Sequence, residues 1–339
     1  MTELAKRKLG SNGPEITRVG FGAWAVGGGG WAFGWGPQDD EDSLRAMRHA
    51  VERGVNWIDT AAVYGLGHSE EVVGRLLRDF GDGDRPLVFT KCGLVWDDDD
   101  KMAPPQRDLR PASIRRECEA SLRRLGVETI DLYQFHWPDE TGTPVEDSWA
   151  EMLRLVDEGK VRWAGVSNFD TELLERCDAL RQVDSLQPPF SLIRRDAAGA
   201  EIPWSLEHET GVIVYSPMQS GLLTDRWSME RINTLADDDW RRGSADFQMP
   251  NVERNLALRD ALGPIAERHG TSVASIAVAW TIAWPGVTAA IVGGRTPEQV
   301  DGWVGAANID LTREDLEEIA GAINRTGAGT GPRTPKQST

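Results

Sequence analysis

Short apolar runs alternate with longer amphipathic segments along most of the chain. The apolar runs have the length and the residue types of β-strands, and the segments between them repeat apolar positions with a helical period. Eight strands that alternate with helices predict a parallel sheet. In one domain of this size they favour a closed (β/α)8 TIM barrel over the alternative, a doubly wound open sheet. The predicted strands cover residues 19–24, 55–59, 87–91, 130–136, 163–166, 185–187, 212–215 and 287–292.

The helical segments have recognisable limits. Pro111, for example, suits the first position of a helix. Residues 272–294 carry no charge, but Pro285 and Gly286 divide them, so we predict a helix followed by a buried strand rather than a membrane span. The predicted helices cover residues 40–53, 69–80, 111–125, 144–158, 171–180, 199–209, 252–269 and 273–284.

The rest of the chain predicts turns and loops. Ser11-Asn12-Gly13-Pro14 between two short polar runs predicts an N-terminal β-hairpin. Residues 95–108 and 224–250 are irregular and predict long substrate loops. We expect one domain over residues 1–325 and a flexible C-terminal tail over residues 326–339, which are polar and rich in glycine and proline.

The composition limits the possible partners and location. The formal charge of −17 over 339 residues argues against binding to nucleic acid or to an anionic membrane. Cys92, Cys118 and Cys177 show no paired spacing, which favours a reduced, cytoplasmic protein. The five scattered histidines predict no metal site. The sequence leaves the oligomeric state open.

Four residues with complementary acid–base chemistry stand at or just after the ends of predicted strands. Asp59, Lys91 and His136 each end a strand, and Tyr64 follows Asp59 by five residues. Because active sites of parallel barrels form where the carboxyl ends of the strands meet, we expect these side chains to converge. A nearby ammonium lowers the pKa of a tyrosine, and a carboxylate keeps that ammonium charged. Together with a histidine that donates to a substrate oxygen, this set predicts proton transfer to a carbonyl or from an alcohol.

Each of the four residues alone also has a structural explanation. An aspartate at a strand end often caps a helix, a tyrosine is usually packed in a core, and His136 could anchor the loop that follows it. Their combination at the strand ends of one barrel favours the catalytic interpretation.

The motifs around these residues resemble those of the aldo-keto reductase superfamily, in particular its bacterial members with a Gly-x-Arg signature. Asp59-x4-Tyr64-Gly65, the strand that ends in Lys91, and His136-Trp137-Pro138-Asp139 are similar to that family's catalytic tetrad. The resemblance extends from Arg7 to about Asn308. It includes Gly165-Val166-Ser167-Asn168-Phe169, Gln187-Pro188-Pro189-Phe190-Ser191-Leu192, Tyr215-Ser216-Pro217-Met218-x-x-Gly221-Leu222-Leu223-Thr224 and Gly293-Gly294-Arg295-Thr296-Pro297-x-Gln299.

This resemblance implies a barrel that binds NADP(H) in an extended form without a Rossmann domain. It implies that Tyr64 is the general acid, that Lys91 paired with Asp59 tunes it, and that His136 orients the carbonyl. It also implies that Arg295 and Thr296 hold the 2′-phosphate. The cofactor-binding set that the resemblance implies is Gly22, Ala23, Trp24, Asp59, Ser167, Asn168, Gln187, Tyr215, Ser216, Pro217, Met218, Gly221, Leu222, Gly293, Arg295, Thr296 and Gln299.

Two features concern the edges of that site. Trp303 stands where the family usually has an asparagine near adenine, and it either stacks on the base or packs in the core. Gly27 to Gly30 does not form the pattern of a phosphate-binding turn, and we expect a flexible loop at the rim of the substrate pocket.

The implied reaction is reduction of an aldehyde or ketone, so the partner is a small-molecule carbonyl. The 14 tryptophans, several in barrel-mouth loops, favour an apolar or ring-bearing substrate. The alternatives are a cofactor-sensing regulatory subunit with little turnover, a dehydrogenase that works in the alcohol-oxidising direction, and a lyase or isomerase with a Schiff base on Lys91. The predicted substrate residues are Trp24, Tyr64, Trp96, His136 and Trp137.

Overall fold

A closed barrel of eight parallel strands forms the centre of the protein. The computed structural model describes residues 3–81, 83–235 and 239–335. In chain order the strands are β1 (Lys6–Lys8), β2 (Glu15–Thr17), β3 (Val19–Gly22), β4 (Trp57–Asp59), β5 (Leu87–Cys92), β6 (Leu94–Val95), β7 (Gln106–Arg107), β8 (Ile130–Phe135), β9 (Val161–Ser167), β10 (Ser185–Gln187), β11 (Gly211–Val214) and β12 (Ala289–Gly293). The barrel order is β3, β4, β5, β8, β9, β10, β11, β12, and β12 pairs with β3. The predicted TIM barrel is therefore confirmed, and the open sheet is excluded.

The strand ends bring the predicted catalytic residues to one rim. Asp59 and Gln187 are the last residues of β4 and β10, Lys91 is the second-last residue of β5, and His136 directly follows β8. In a parallel barrel all of these positions open on the same face.

Helices cover the outside of the barrel. They are α1 (Asp40–Glu52), α2 (His68–Leu77), α3 (Pro111–Leu125), α4 (Val145–Asp157), α5 (Thr171–Asp178), α6 (Glu201–Glu207), α7 (Met229–Asn233), α8 (Asn251–Ala261), α9 (Gly263–Arg268), α10 (Val273–Ala283), α11 (Pro297–Asp301) and α12 (Arg313–Thr326). One prediction is wrong here, because the single helix expected over residues 252–269 is two helices. Pro264 explains the break, since its ring clashes with the carbonyl four residues earlier and it has no N–H to donate.

The N-terminal hairpin closes the bottom of the barrel. Strands β1 and β2 pair antiparallel, as predicted. Leu9 and Ile16 of the hairpin are fully buried and pack with Trp57, Phe89 and Leu132, which point into the barrel interior. This apolar layer is the floor beneath the strand ends that carry the candidate site.

The two predicted long loops are only partly irregular. Strands β6 and β7 form a small antiparallel pair within the first loop, which the sequence did not predict. The second loop contains α7 and two short 3-10 turns, Trp240–Gly243 and Ala245–Phe247. Residues 236–238 of this loop lie outside the described part of the chain.

The C-terminal segment differs from the predicted flexible tail of residues 326–339. The backbone N–H of Arg195 donates to the carbonyl of Thr330 at 3.1 Å, and the Arg195 guanidinium donates to the carbonyl of Pro332 at 2.9 Å. Carbonyl groups of this segment thus satisfy a buried arginine, which holds the segment against the barrel. Residues 336–339 lie outside the described residues.

The uncharged stretch before β12 has the predicted organisation, since α10 ends at Ala283 and β12 follows. Within residues 3–81, 83–235 and 239–335, we find no helix with the length and hydropathy needed to span a membrane.

Candidate active site

A cavity of about 1040 Å³ opens at the carboxyl ends of the strands. It exceeds the usual size of a pocket for one drug-sized ligand, so it has room for a dinucleotide and a second small molecule. The predicted residues that line it are Gly22, Ala23, Trp24, Asp59, Tyr64, His136, Trp137, Ser167, Asn168, Gln187, Tyr215, Ser216, Pro217, Met218, Gly221, Gly293, Arg295 and Gln299.

The four predicted catalytic residues converge at the bottom of this cavity. The Lys91 Nζ donates to Asp59 Oδ1 at 2.5 Å and to the carbonyl of Thr60 at 2.9 Å. The same Nζ lies 5.3 Å from the centre of the Tyr64 ring. The rings of Tyr64 and His136 are 5.7 Å apart at 80°. Lys91 itself does not line the cavity, since it lies fully buried beneath the other three.

Glycine allows the loop after β3 to hold Tyr64 in place. A Cβ at Gly27 would lie 2.6 Å from the backbone nitrogen of Gly65 and 2.7 Å from the carbonyl carbon of Tyr64. Only glycine permits this approach. Gly27 therefore packs against the backbone that carries Tyr64.

The pKa of Tyr64 shifts in the direction opposite to our prediction. Burial raises it well above its ordinary value, and the charge of Asp59 and the neighbouring Tyr215 raise it further. The prediction fails because Lys91 is bonded to a carboxylate at 2.5 Å, so the pair presents little net positive charge to the phenol. The Tyr64 hydroxyl therefore stays protonated at neutral pH and is suited to donate its proton.

Burial also shifts the pKa values of the residues around Tyr64. Burial lowers the pKa of His136 well below its ordinary value, and the charge of Lys91 adds to this shift. The imidazole is therefore neutral at pH 7, with one N–H to donate. Burial raises the pKa of Asp59 and lowers that of Lys91, while their mutual attraction opposes both shifts.

Four of the predicted cofactor-binding residues, Ser167, Asn168, Gln187 and Tyr215, form one hydrogen-bonded network next to the tetrad. The Gln187 side chain donates to Asp59 Oδ2 at 2.9 Å. The Ser167 hydroxyl donates to the Gln187 carbonyl at 2.7 Å, and Asn168 Nδ2 donates to the Ser167 hydroxyl at 3.0 Å. The Tyr215 hydroxyl donates to Asn168 Oδ1 at 2.8 Å. These bonds fix side chains that could hold a carboxamide beside the phenol.

The far end of the cavity carries a positive charge. The Arg295 backbone N–H donates to Gln299 Oε1 at 2.9 Å, and the guanidinium contacts Gln38 and Pro37 from the loop after β3. Arg295 thus lines the cavity as a cation, and its binding of a phosphate stays a prediction. The predicted Thr296 and Leu222 do not line the cavity, and Thr296 directly precedes α11.

Trp303 packs at the edge of the cavity. Only 2% of it is exposed, and it belongs to the main hydrophobic core while it also lines the cavity. Packing is therefore observed, and a contact between Trp303 and a bound base stays a prediction.

Trp24 and Trp35 form an aromatic wall that lines the cavity, and Trp240 packs on this wall without lining the cavity. Trp24 stacks on Tyr64 at 5.9 Å and on Trp240 at 6.2 Å, and it meets the edge of Trp35 at 5.3 Å. The predicted Trp96 is not part of this wall, because it packs beside Trp31, Ala61 and Val63 and donates to Asp98.

Sequence reasoning missed several residues of the cavity. Arg241 lines it and lies over the rings of Trp35 and Trp227, and Arg107 lines it while covering Trp137. Gln38 reaches Arg295 across 257 positions. None of these three residues belongs to a sequence motif. The only sequence signal for this part of the cavity was the set of tryptophans that lie beside them along the chain or in the same loop.

Comparisons with known proteins agree with this geometry. The model of the "Aldo/keto reductase family" matches residues 18–324. The chain is 34% identical over 319 residues to aldo-keto reductase YhdN of Bacillus subtilis (strain 168), which covers 94% of this chain and 93% of that protein. It is 31% identical over 334 residues to the NADH-specific methylglyoxal reductase of Escherichia coli (strain K12), covering 95% of this chain and 100% of that protein.

A solved structure gives the same result. The glycerol dehydrogenase AKR11B4 from Gluconobacter oxydans superposes with a TM-score of 0.87 at 38% identity, and the match covers 98% of this chain and 99% of that one.

Proposed function

Since the chain belongs to the aldo/keto reductase family, we propose that it is an NADP(H)-dependent oxidoreductase that reduces aldehydes or ketones to alcohols. The observation that carries this proposal is a protonated, buried Tyr64 next to a neutral His136 and above the Asp59–Lys91 pair. A donor, an orienting group and a charged support at one point are what proton delivery to a carbonyl requires.

Each of these residues has its own role in the proposed reduction. A bound reduced nicotinamide would supply the hydride. The His136 N–H holds the carbonyl oxygen, and Tyr64 gives that oxygen its proton as negative charge develops on it. Lys91, whose Nζ lies 5.3 Å from the centre of the Tyr64 ring, offsets part of the Asp59 charge that opposes formation of the phenolate. The forming alkoxide is a stronger base than a phenolate, so the transfer is favourable although the pKa of Tyr64 is high.

The raised pKa of Tyr64 suits it to donate a proton, as reduction requires. Oxidation of an alcohol would run the same proton transfer in reverse, with the Tyr64 phenolate as the base. The name of the Gluconobacter oxydans relative, glycerol dehydrogenase, keeps alcohol oxidation as the second candidate.

Arg295 supports the preference for NADP(H). In the described residues no carboxylate lies within 4.0 Å of its guanidinium, whereas most arginines of this chain are paired with an acid. An unneutralised guanidinium at the end of the cavity suits a terminal phosphate. One relative is named as NADH-specific, so we base the proposed preference for NADP(H) on Arg295 of this chain and not on that relative.

The substrate class follows from the aromatic wall. Trp24 and Trp35 line the cavity, and Trp24 stacks on Tyr64, which suits an apolar or ring-bearing carbonyl. All three cysteines are free and buried, which is consistent with the cytoplasmic location that we propose.

The test is Tyr64→Phe. We expect the rate of NADPH oxidation with benzaldehyde to fall by about 10²–10⁴-fold, as for loss of a general acid, while NADPH still binds. Tyr133→Phe is the matched control, because that tyrosine is fully buried in strand β8 and does not line the cavity. Equal activity of wild type and Tyr64→Phe would refute the assignment. If wild type binds NADPH but reduces no carbonyl in a broad panel, the regulatory-subunit alternative is supported instead.

A further inference from the structure

The guanidinium of Arg295 is held by uncharged oxygen atoms. Its Nε donates to Gln38 Oε1 at 2.5 Å, and its Nη2 donates to the carbonyl of Pro37. Gln38 returns the contact, since its Nε2 donates to the Arg295 carbonyl at 3.3 Å. These bonds tie the loop after β3 to the segment between β12 and α11 and fix the plane of the guanidinium.

This arrangement leaves the positive charge available. The bonds use Nε and one hydrogen of Nη2, so the Nη1 hydrogens remain for a ligand. Burial lowers the pKa of Arg295, and the positive charge of Arg241 lowers it further. Arg241 is itself paired with Asp239 at 2.5 Å. The available charge is therefore that of Arg295, which has no carboxylate within 4.0 Å among the described residues, and it makes this end of the cavity a site for an anion.

The amide of Gln38 has a property that a carboxylate would lack. Both accept a hydrogen bond from Nε, but a carboxylate would form a charge-assisted pair with Arg295 and cancel its charge. The amide orients the guanidinium and leaves the charge in place. Gln38 is half-buried, so it is shielded from water while it makes this contact.

We propose that Gln38 is a specificity-determining residue that holds Arg295 ready for the 2′-phosphate and thereby selects NADP(H) over NAD(H). This inference rests on the proposed function, because it assumes that the cavity takes the dinucleotide with its phosphate end at Arg295. It assigns a role to a residue that contacts the arginine and precedes the first helix of the barrel.

The test compares Gln38→Glu and Gln38→Leu with wild type by isothermal titration of 2′,5′-ADP, 5′-AMP, NADPH and NADH. For Gln38→Glu we expect the Kd of 2′,5′-ADP and of NADPH to rise by at least about tenfold, as for loss of a charge-assisted bond, with NADH changed less than about twofold. Gln38→Leu keeps the charge but releases the guanidinium, so we expect a smaller rise in the same two constants.

Asn324→Asp is the matched control. Asn324 lies exposed on α12 and its Oδ1 accepts from Arg333 at 2.5 Å, so this variant makes the same amide-to-acid change against an arginine on the outside of the protein. We expect it to leave all four dissociation constants unchanged. Unchanged NADH binding in the Gln38 variants shows that their cavity is intact.

The outcomes separate the two proposals. If wild type binds 2′,5′-ADP no better than 5′-AMP and NADPH no better than NADH, the proposed cofactor preference is wrong. If wild type prefers the phosphorylated ligands and Gln38→Glu keeps that preference, only the role of Gln38 is overturned. Tighter NADPH binding by Gln38→Leu would also overturn it, because Gln38 would then compete with the phosphate.

Discussion

Lys91→Met removes the positive half of the buried pair at the bottom of the cavity. The side chains of Lys91 and Asp59 are 0% and 3% exposed, and their charged atoms are 2.5 Å apart. Breaking such a pair by removing one partner typically costs about 3–5 kcal/mol, because the remaining charge stays buried without compensation. We expect the free energy of unfolding, from urea denaturation at pH 8, to fall by about this amount.

The double variant Asp59→Asn with Lys91→Met removes both charges. We expect it to be more stable than Lys91→Met alone, with a coupling energy on the order of 1–3 kcal/mol in the double-mutant cycle. The single variant should also regain stability as the pH falls. Its folded-state pKa at Asp59 is raised above the unfolded value, so protons bind the folded protein preferentially in that range.

An exposed ion pair provides the control. Arg313 and Glu317 on α12 are 2.7 Å apart but 92% and 66% exposed. Arg313→Met should leave the unfolding free energy unchanged within the error of the measurement, since exposed pairs contribute little. Additive effects in the cycle, or a Lys91→Met variant as stable as wild type, would show that the pair does not carry a buried charge.

Two further predictions concern residues away from the reacting groups. Burial raises the pKa of Glu117 to about 7, so its proton favours the folded state: stability should fall as pH rises from about 5 to 8, by ~3 kcal/mol at about 1.4 kcal/mol per pKa unit, and Glu117→Gln should remove this slope in urea denaturation. Gly20→Ala should lower stability by about 1–3 kcal/mol, because the new Cβ would lie 2.1 Å from the buried Trp57 ring, whereas Gly305→Ala, with no atom within 4 Å of its Cβ, should not.

The barrel and the convergence of its catalytic side chains could be predicted because both follow from local patterns. Each strand is an apolar run of the right length, and strand ends in a parallel barrel meet at one face, so Asp59, Lys91 and His136 could be placed together before any coordinates. The break before α9 could also have been predicted, since Pro264 stands within the segment that we predict as one helix.

The electrostatics could not be predicted in the same way. Sequence places Lys91 near Tyr64, but the pKa of the phenol depends on whether the ammonium is already paired, which only the distance to Asp59 decides. The contact between Gln38 and Arg295 joins segments that have no common pattern. The residues after α12 are held by the buried Arg195, which donates to the carbonyl groups of Pro332 and Ala328. The sequence alone does not show these contacts.

The apolar floor formed by the hairpin and the barrel interior restricts how protons travel. Leu9, Ile16 and Trp57 fill the side of the barrel opposite the cavity with buried apolar groups. Under the proposed mechanism, Tyr64 would therefore recover its proton from water that enters through the cavity mouth, beside Trp24. Reprotonation of Tyr64 would then follow release of the alcohol, so slower turnover in heavy water would report on this late step as well as on proton transfer to the carbonyl.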